Sequence, residues 1–166
     1  GGRRDGTGFR LMGDTEVIVQ VFGEHGQLGV LKADERATLA GACSLQKLQP
    51  EEMLFKQGDI GSSMYVVKDG LIRISKKTAE GTDQTIILAK KGDIIGELSL
   101  FDNNARSASA KAMGATEVVV LSKDKFESVK ASAPTVAVKL MEVFIRMLAK
   151  RLRQTTARMY GDFDDV

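Results

Sequence analysis

The chain has no tryptophan, one cysteine, one histidine and two prolines, and aromatic residues make up only 5% of it. Each shortage excludes something. A single cysteine cannot close an internal disulfide, so stapled small-domain scaffolds are excluded and a reducing, cytoplasmic setting is expected. A single histidine, His25, cannot build a metal centre without other ligands, and no cluster of them surrounds it; no metal is expected. A net charge of +2 without a long basic tract gives no reason to expect a nucleic-acid partner. No hydrophobic run approaches a membrane span or has the flanks of a signal peptide, so no membrane partner is expected either. What is present is 166 residues with 43% hydrophobic content, enough for one domain with a real core and too little for two well-sized ones.

Residues 1–12 open glycine-rich, with Arg3, Arg4 and Asp5 interspersed and no hydrophobic period, and read as a linker or an expression remnant. The domain is expected over 13–160. Val17, Ile18, Val21 and Phe22, then Leu28 and Leu31, recur at helical spacing, and a second helix is expected at Ala33–Ala42, so that helices occupy 15–45. His25, between Gly23 and Gly26, reads as a turn. Cys43 follows Leu39 and Ala40 on an apolar pattern and reads as a small core residue, not a nucleophile.

Pro50 and Pro134 punctuate the chain, one before a run of strands and the other before a long helix. Glycines at 58, 70, 81 and 92 separate β-type segments at Glu52–Phe55, Met64–Lys68, Leu71–Ser75 and Gln84–Leu88. Two more follow at Ala108–Ala112 and Thr116–Ser122. Turns at this spacing predict a small all-β sandwich or barrel over 50–128. Asp69-Gly70 predicts a hairpin, and Val118-Val119-Val120-Leu121 a buried strand.

The longest helix is expected over 134–160. Val138, Met141, Ile145, Leu148, Leu152, Thr155 and Met159 alternate steps of three and four, which is a coiled-coil seam. Leu140, Phe144 and Met147 form a second stripe suited to the roll, leaving Lys139, Glu142, Arg146, Lys150 and Arg153 for solvent. Two stripes on one helix predict a parallel homodimer. Residues 161–166 form an acidic tail.

The stretch Gly92 to Ala110 carries the chemistry. Gly96-Glu97-Leu98-Ser99-Leu100 suits one helical turn whose first amides attract an anion, Gly96 permits close approach, and Arg106 adds a planar charged fork that matches phosphate. A carboxylate beside a phosphate is repelled unless it has a donor of its own, and a sugar hydroxyl is such a donor. Together with Arg106-Ser107-Ala108, this run resembles the phosphate-binding cassette of the cyclic nucleotide-binding domain family, in both its catabolite activator and its protein kinase A regulatory branches. The resemblance covers Val21 to Tyr160. It implies an α+β fold: an antiparallel, jelly-roll-like β-roll of about eight strands, flanked by N-terminal helices and a long C-terminal helix.

By position the resemblance puts the ribose 2′-hydroxyl on Glu97, the cyclic phosphate on Arg106, and the supporting amides on Gly96, Leu98, Ser99, Ser107 and Ala108. Many members have proline where this chain has Ala105, which predicts a looser loop. The run Leu148 to Thr156 is similar to the dimer helix of the catabolite activator group, where two adjacent hydroxyls reach adenine, one from each subunit; these are Thr155 and Thr156. The implied ligand is cyclic AMP, with cyclic GMP open because Ser107 offers a hydroxyl to guanine. The expectation is a signalling sensor and not an enzyme, with occupancy relayed through the C-terminal helix to an unidentified downstream protein or an absent output domain. Three alternatives stand beside it. A roll with another effector, or none, is opposed by the intact Glu97 and Arg106. A cupin-type metalloenzyme needs several histidines. A DNA-binding regulator needs a helix-turn-helix, and nothing after Tyr160 supplies one.

Overall fold

The structure is a computed structural model that describes residues 12–24 and 26–161. Most of the expected N-terminal linker, the turn residue His25 and all of the acidic end but Gly161 lie outside the described residues. In chain order the elements are α1 (Asp14–Glu24), a 3₁₀ turn (Gln27–Val30), α2 (Ala33–Gly41), then β1 (Ser44–Leu48), β2 (Met53–Phe55), β3 (Ser63–Asp69), β4 (Ile72–Lys77), β5 (Asp83–Ala89) and β6 (Ile94–Ile95). A second 3₁₀ turn (Glu97–Leu100) precedes β7 (Ser109–Ala112), β8 (Thr116–Ser122), α3 (Lys123–Ser132) and α4 (Pro134–Tyr160). The eight antiparallel strands form two four-stranded sheets, ordered β1-β8-β3-β6 and β2-β7-β4-β5. This is the α+β roll with helices on both chain ends that the sequence implied.

Alternation along β3 and β8 explains the layering. Successive side chains point to opposite faces of a strand, so Met64, Val66, Val119 and Leu121 meet the helices while Val67 and Val118 point into the roll. Both faces of β8 are covered, which is why Val118 to Leu121 reads as an uninterrupted apolar run. The helical side is the larger core: Phe22, Leu39, Phe126, Leu140 and Phe144 are buried together there. Inside the roll three of the eight buried residues are alanines, Ala89, Ala110 and Ala112.

The two stripes of α4 part as expected. Leu140, Phe144 and Met147 are buried, whereas Val138, Ile145, Leu152 and Met159, seven residues apart, are 50%, 65%, 69% and 66% exposed. Met141 and Leu148 are half-buried and Thr155 is exposed. Lys139 departs from the expectation of a solvated residue: its Nζ donates to Glu35 Oε1 at 2.7 Å. That carboxylate also accepts from the Lys32 amide at 2.8 Å, so it caps α2 and ties it to α4. The two hydrogen bonds hold the Glu35 carboxyl below its ordinary value, the Lys139 bond being the larger cause.

Other expectations are corrected. Helical structure stops at Gly41, and β1 begins at Ser44; Gln46 and Lys47 are both exposed, so this edge strand lacks a clean alternation. Cys43 is therefore just past the helix; its thiol donates to Leu39 O at 3.2 Å, it packs against the helical core, and burial pushes its pKa up to about 12. The two-residue β6 had no length to show a period. Lys123–Ser132 is helix, not the end of the roll: Ser122 caps it by accepting from the Lys125 amide, but only Phe126 and Val129 mark its buried face. Asp69-Gly70 turns the chain, with Gly70 at φ 89°, yet it makes no hairpin. Its strands belong to different sheets, because β3 pairs with β8 and β6 while β4 pairs with β5 and β7.

Candidate functional site

β6 delivers the chain to Gly96, which adopts φ 73°, ψ 18°, a left-handed conformation that costs glycine nothing. This reversal starts the 3₁₀ turn and buries Glu97 and Ser99 at 2% and 5% exposure. Leu98 projects at the rim. Of the amides expected to stay free, that of Ser99 bonds to Gly96 O at 3.3 Å.

Arg106 is fixed at both levels. Its amide donates to Asp59 O at 2.7 Å and its carbonyl accepts from Gly58 N at 2.8 Å, while the neighbouring Ala105 bridges to Ile60. These contacts tie the loop to the Gly58–Ile60 segment although Ala105 stands where a proline is expected. The side chain is 8% exposed. Nη2 donates to Ser63 O at 2.8 Å and Nη1 to Gly96 O at 3.2 Å, and the guanidinium lies 4.1 Å over the Phe55 ring, which stacks with Tyr65. Nε is buried without a partner. No carboxylate among the described residues pairs with this cation, and burial draws its pKa below the ordinary arginine value. The charges of Asp59 and Glu97 favour its ionised form without pairing with it, and a buried cation that lacks an ion-pair partner suits an anion from outside the chain.

Glu97 and Arg106 do not pair with each other. The Glu97 carboxylate is instead held by Arg151 of α4. Both arginines and Glu97 line one cavity of about 480 Å³, together with Ser99, Ser107 and Ala108 and the apolar side chains of Phe55, Ile74, Ile86 and Ile87. The lining thus combines charge and hydroxyls with hydrocarbon. This combination suits a ligand with an anionic head and a flat, partly apolar body. The structure therefore brings Gly96, Glu97, Leu98, Ser99, Arg106, Ser107 and Ala108 together. Thr155 and Thr156 are exposed on the distal part of α4 and are not among the residues lining the cavity of the single chain.

Sequence reasoning missed Arg151, the aromatic shelf of Phe55 and Tyr65, and Gly61. Arg151 is one of six basic residues on α4, and nothing local distinguishes it. Gly61 carries no turn signal of its own, but a Cβ there would fall 2.4 Å from Arg106 Nε. Among the described residues no group of His, Cys, Asp and Glu is arranged to hold a metal, and no helix is long and apolar enough to cross a membrane.

The chain is 34% identical over 123 residues to the cyclic AMP receptor protein of Thermus thermophilus, an alignment covering 74% of this chain and 55% of the relative. It is 36% identical over 100 residues to a cAMP-dependent protein kinase regulatory subunit of Pyricularia oryzae, covering 60% of this chain and 25% of that one. The chain therefore spans about half the length, or less, of these relatives. A crystallised cyclic nucleotide-binding domain from Methylobacillus flagellatus KT superposes with a TM-score of 0.77 at 25% identity, covering 92% of this chain and 86% of the other. These relatives are a receptor and a regulatory subunit, and the chain is likewise a binding domain and not an enzyme. Residues 45–132 match the family model of the cyclic nucleotide-binding domain, and the chain belongs to that family.

Proposed function

We propose that the chain is a cyclic AMP sensor that binds its ligand between Arg106 and Glu97 and reports occupancy through α4. The observation that carries this reading is the buried guanidinium of Arg106, which rests on backbone carbonyls and an aromatic face and has no carboxylate in ion-pair contact. The cyclic phosphate supplies the missing charge. Desolvated, bidentate pairing of this kind is among the stronger polar contacts available. Glu97 accepts the ribose 2′-hydroxyl, the backbone at Gly96, Leu98, Ser99, Ser107 and Ala108 closes around the phosphate, and the base lies along the apolar side chains. Ser107 keeps cyclic GMP as the alternative ligand.

The relay follows from Arg151. The proposed ribose acceptor Glu97 is also held by a side chain of α4, Arg151 on Oε1, so the ligand and the helix would share one carboxylate. A ligand shifts a conformational equilibrium by its differential affinity for the two states, and this shared carboxylate is where that difference arises. The exposed seam at Val138, Ile145, Leu152 and Met159 supports a parallel homodimer. Such a dimer gives Thr155 and Thr156 a neighbour's cavity to reach, which favours adenine. A cytoplasmic setting and a separate output partner complete the reading.

The test is a thermal-shift comparison of cyclic AMP, cyclic GMP and AMP. A ligand at ~100 Kd stabilises by about 2.7 kcal/mol. Cyclic AMP is expected to raise the melting temperature most, cyclic GMP less and AMP least. No shift with either cyclic nucleotide overturns the proposal.

A further inference from the structure

Arg106 keeps one polar atom unused. Nη1 and Nη2 are both engaged by carbonyls, whereas Nε has neither a protein partner nor access to solvent. A buried donor left in this state loses its hydration without recompense, so a partner is expected when the site is in its working arrangement. One candidate is marked by Gly61. A Cβ built on that glycine would lie 2.3 Å from Ser99 Oγ and 2.4 Å from Arg106 Nε, so hydroxyl and Nε flank the same small gap. Only glycine leaves that gap open. Ser99 is itself 5% exposed, sits on the 3₁₀ turn beside Glu97, and lines the cavity.

We infer that the Ser99 hydroxyl is a positioning residue that joins Arg106 to the bound phosphate, accepting from Nε–H and donating its own proton to a phosphoryl oxygen. A hydroxyl has one donor and two acceptor sites and so can do both at once. The chain Nε–H to Oγ–H to phosphoryl oxygen satisfies the one orphaned atom of the guanidinium and orients its fork. It also sharpens the difference between the two non-bridging oxygens of the phosphate, which are diastereotopic already, because only one of them meets the hydroxyl. This role is separate from that of the Ser99 amide and rests on the cyclic nucleotide reading above.

The experiment titrates cyclic AMP and the two diastereomers of its phosphorothioate analogue into the wild-type chain, Ser99→Ala, Ser99→Thr and Ser99→Cys, with the melting temperature of each unliganded protein as the folding control. Sulfur accepts hydrogen bonds poorly, so each diastereomer removes one oxygen in turn. Ser99→Ala is expected to weaken cyclic AMP about tenfold and to bring the two diastereomers towards equal affinity. Ser99→Thr, which keeps the hydroxyl, restores the discrimination, whereas Ser99→Cys, which fills the gap with a weak donor, does not. Unchanged affinity in Ser99→Ala, or a loss with the diastereomer ratio unaltered, overturns the inference while leaving the cyclic nucleotide reading in place. A wild-type chain that binds none of the three compounds removes that reading, and the inference with it.

Discussion

Two guanidiniums reach the cavity, and they are held in opposite ways. Arg106 belongs to the roll: it is buried, its backbone is pinned to the Gly58–Asp59 turn, and its fork rests on carbonyls and an aromatic face. Arg151 comes from the distal part of α4, its side chain is 46% exposed, and it bonds to the roll at the carboxylate of Glu97. The first has no carboxylate in ion-pair contact; the second holds the carboxylate to which the proposed function assigns the ribose. Rigid mounting suits recognition, and a contact that ligand can replace suits reporting. On the proposed function, one cavity would hold a binding arginine and a signalling arginine.

The sharpest way to break this contrast is Arg106→Ala. It should cost about 2–5 kcal/mol of cyclic nucleotide affinity with the fold intact, read by calorimetric titration beside circular dichroism; undiminished binding would make the two arginines equivalent. Gly96→Ala should follow, because a Cβ there falls 2.5 Å from Arg106 Nη1 and the residue sits at φ 73°. The left-handed conformation alone costs roughly 1–2 kcal/mol, and displacement of the guanidinium should lower affinity beyond what the melting temperature loses. Equal binding by this variant would show that Arg106 tolerates movement.

Arg151→Met addresses the other side of the contrast. Affinity for cyclic AMP should change by less than about tenfold, or 1.4 kcal/mol. The ligand-dependent change in hydrogen exchange across 148–160 should nevertheless disappear, because the helix no longer holds the carboxylate. A large affinity loss with the exchange response preserved would return Arg151 to the binding class. The smallest effect is expected at Lys139→Met, which tests whether the proximal part of α4 is fixed independently of ligand. The folded Glu35 carboxyl titrates below its ordinary 4.5, so the unfolded chain binds more protons in that window. Its contribution is full above 4.5 and is lost as pH falls through the folded value. Melting curves of wild type and Lys139→Met should differ at neutral pH and converge on acidification; a gap that persists at low pH would exclude the Glu35 pair as its source.

What could be read from the sequence follows from how local each signal is. α4 was placed at its observed bounds because Pro134 starts it and its apolar residues repeat for 27 residues. Glu97 and Arg106 were legible because glycine, carboxylate and arginine lie within one short stretch. Features that depend on the other layer were not. β1 hides because it is an edge strand with exposed polar residues on both sides, and α3 because two apolar residues do not define a period. Asp69-Gly70 dictated a turn but could not say that its strands part into separate sheets. Arg151 is meaningful only once the helix has folded back over the roll, and it lies beyond the residues that match the family model. Gly61 matters through the space it leaves, which no neighbour in sequence encodes.

The most direct measurement is a crystal structure of the chain with cyclic AMP. The phosphate should sit in ion-pair contact with Arg106, the ribose 2′-hydroxyl on the Glu97 carboxylate, and Arg151 should have given up that carboxylate. Nucleotide bound elsewhere, or Glu97 still paired to Arg151 with Arg106 facing no anion, would contradict the division of labour between the two arginines.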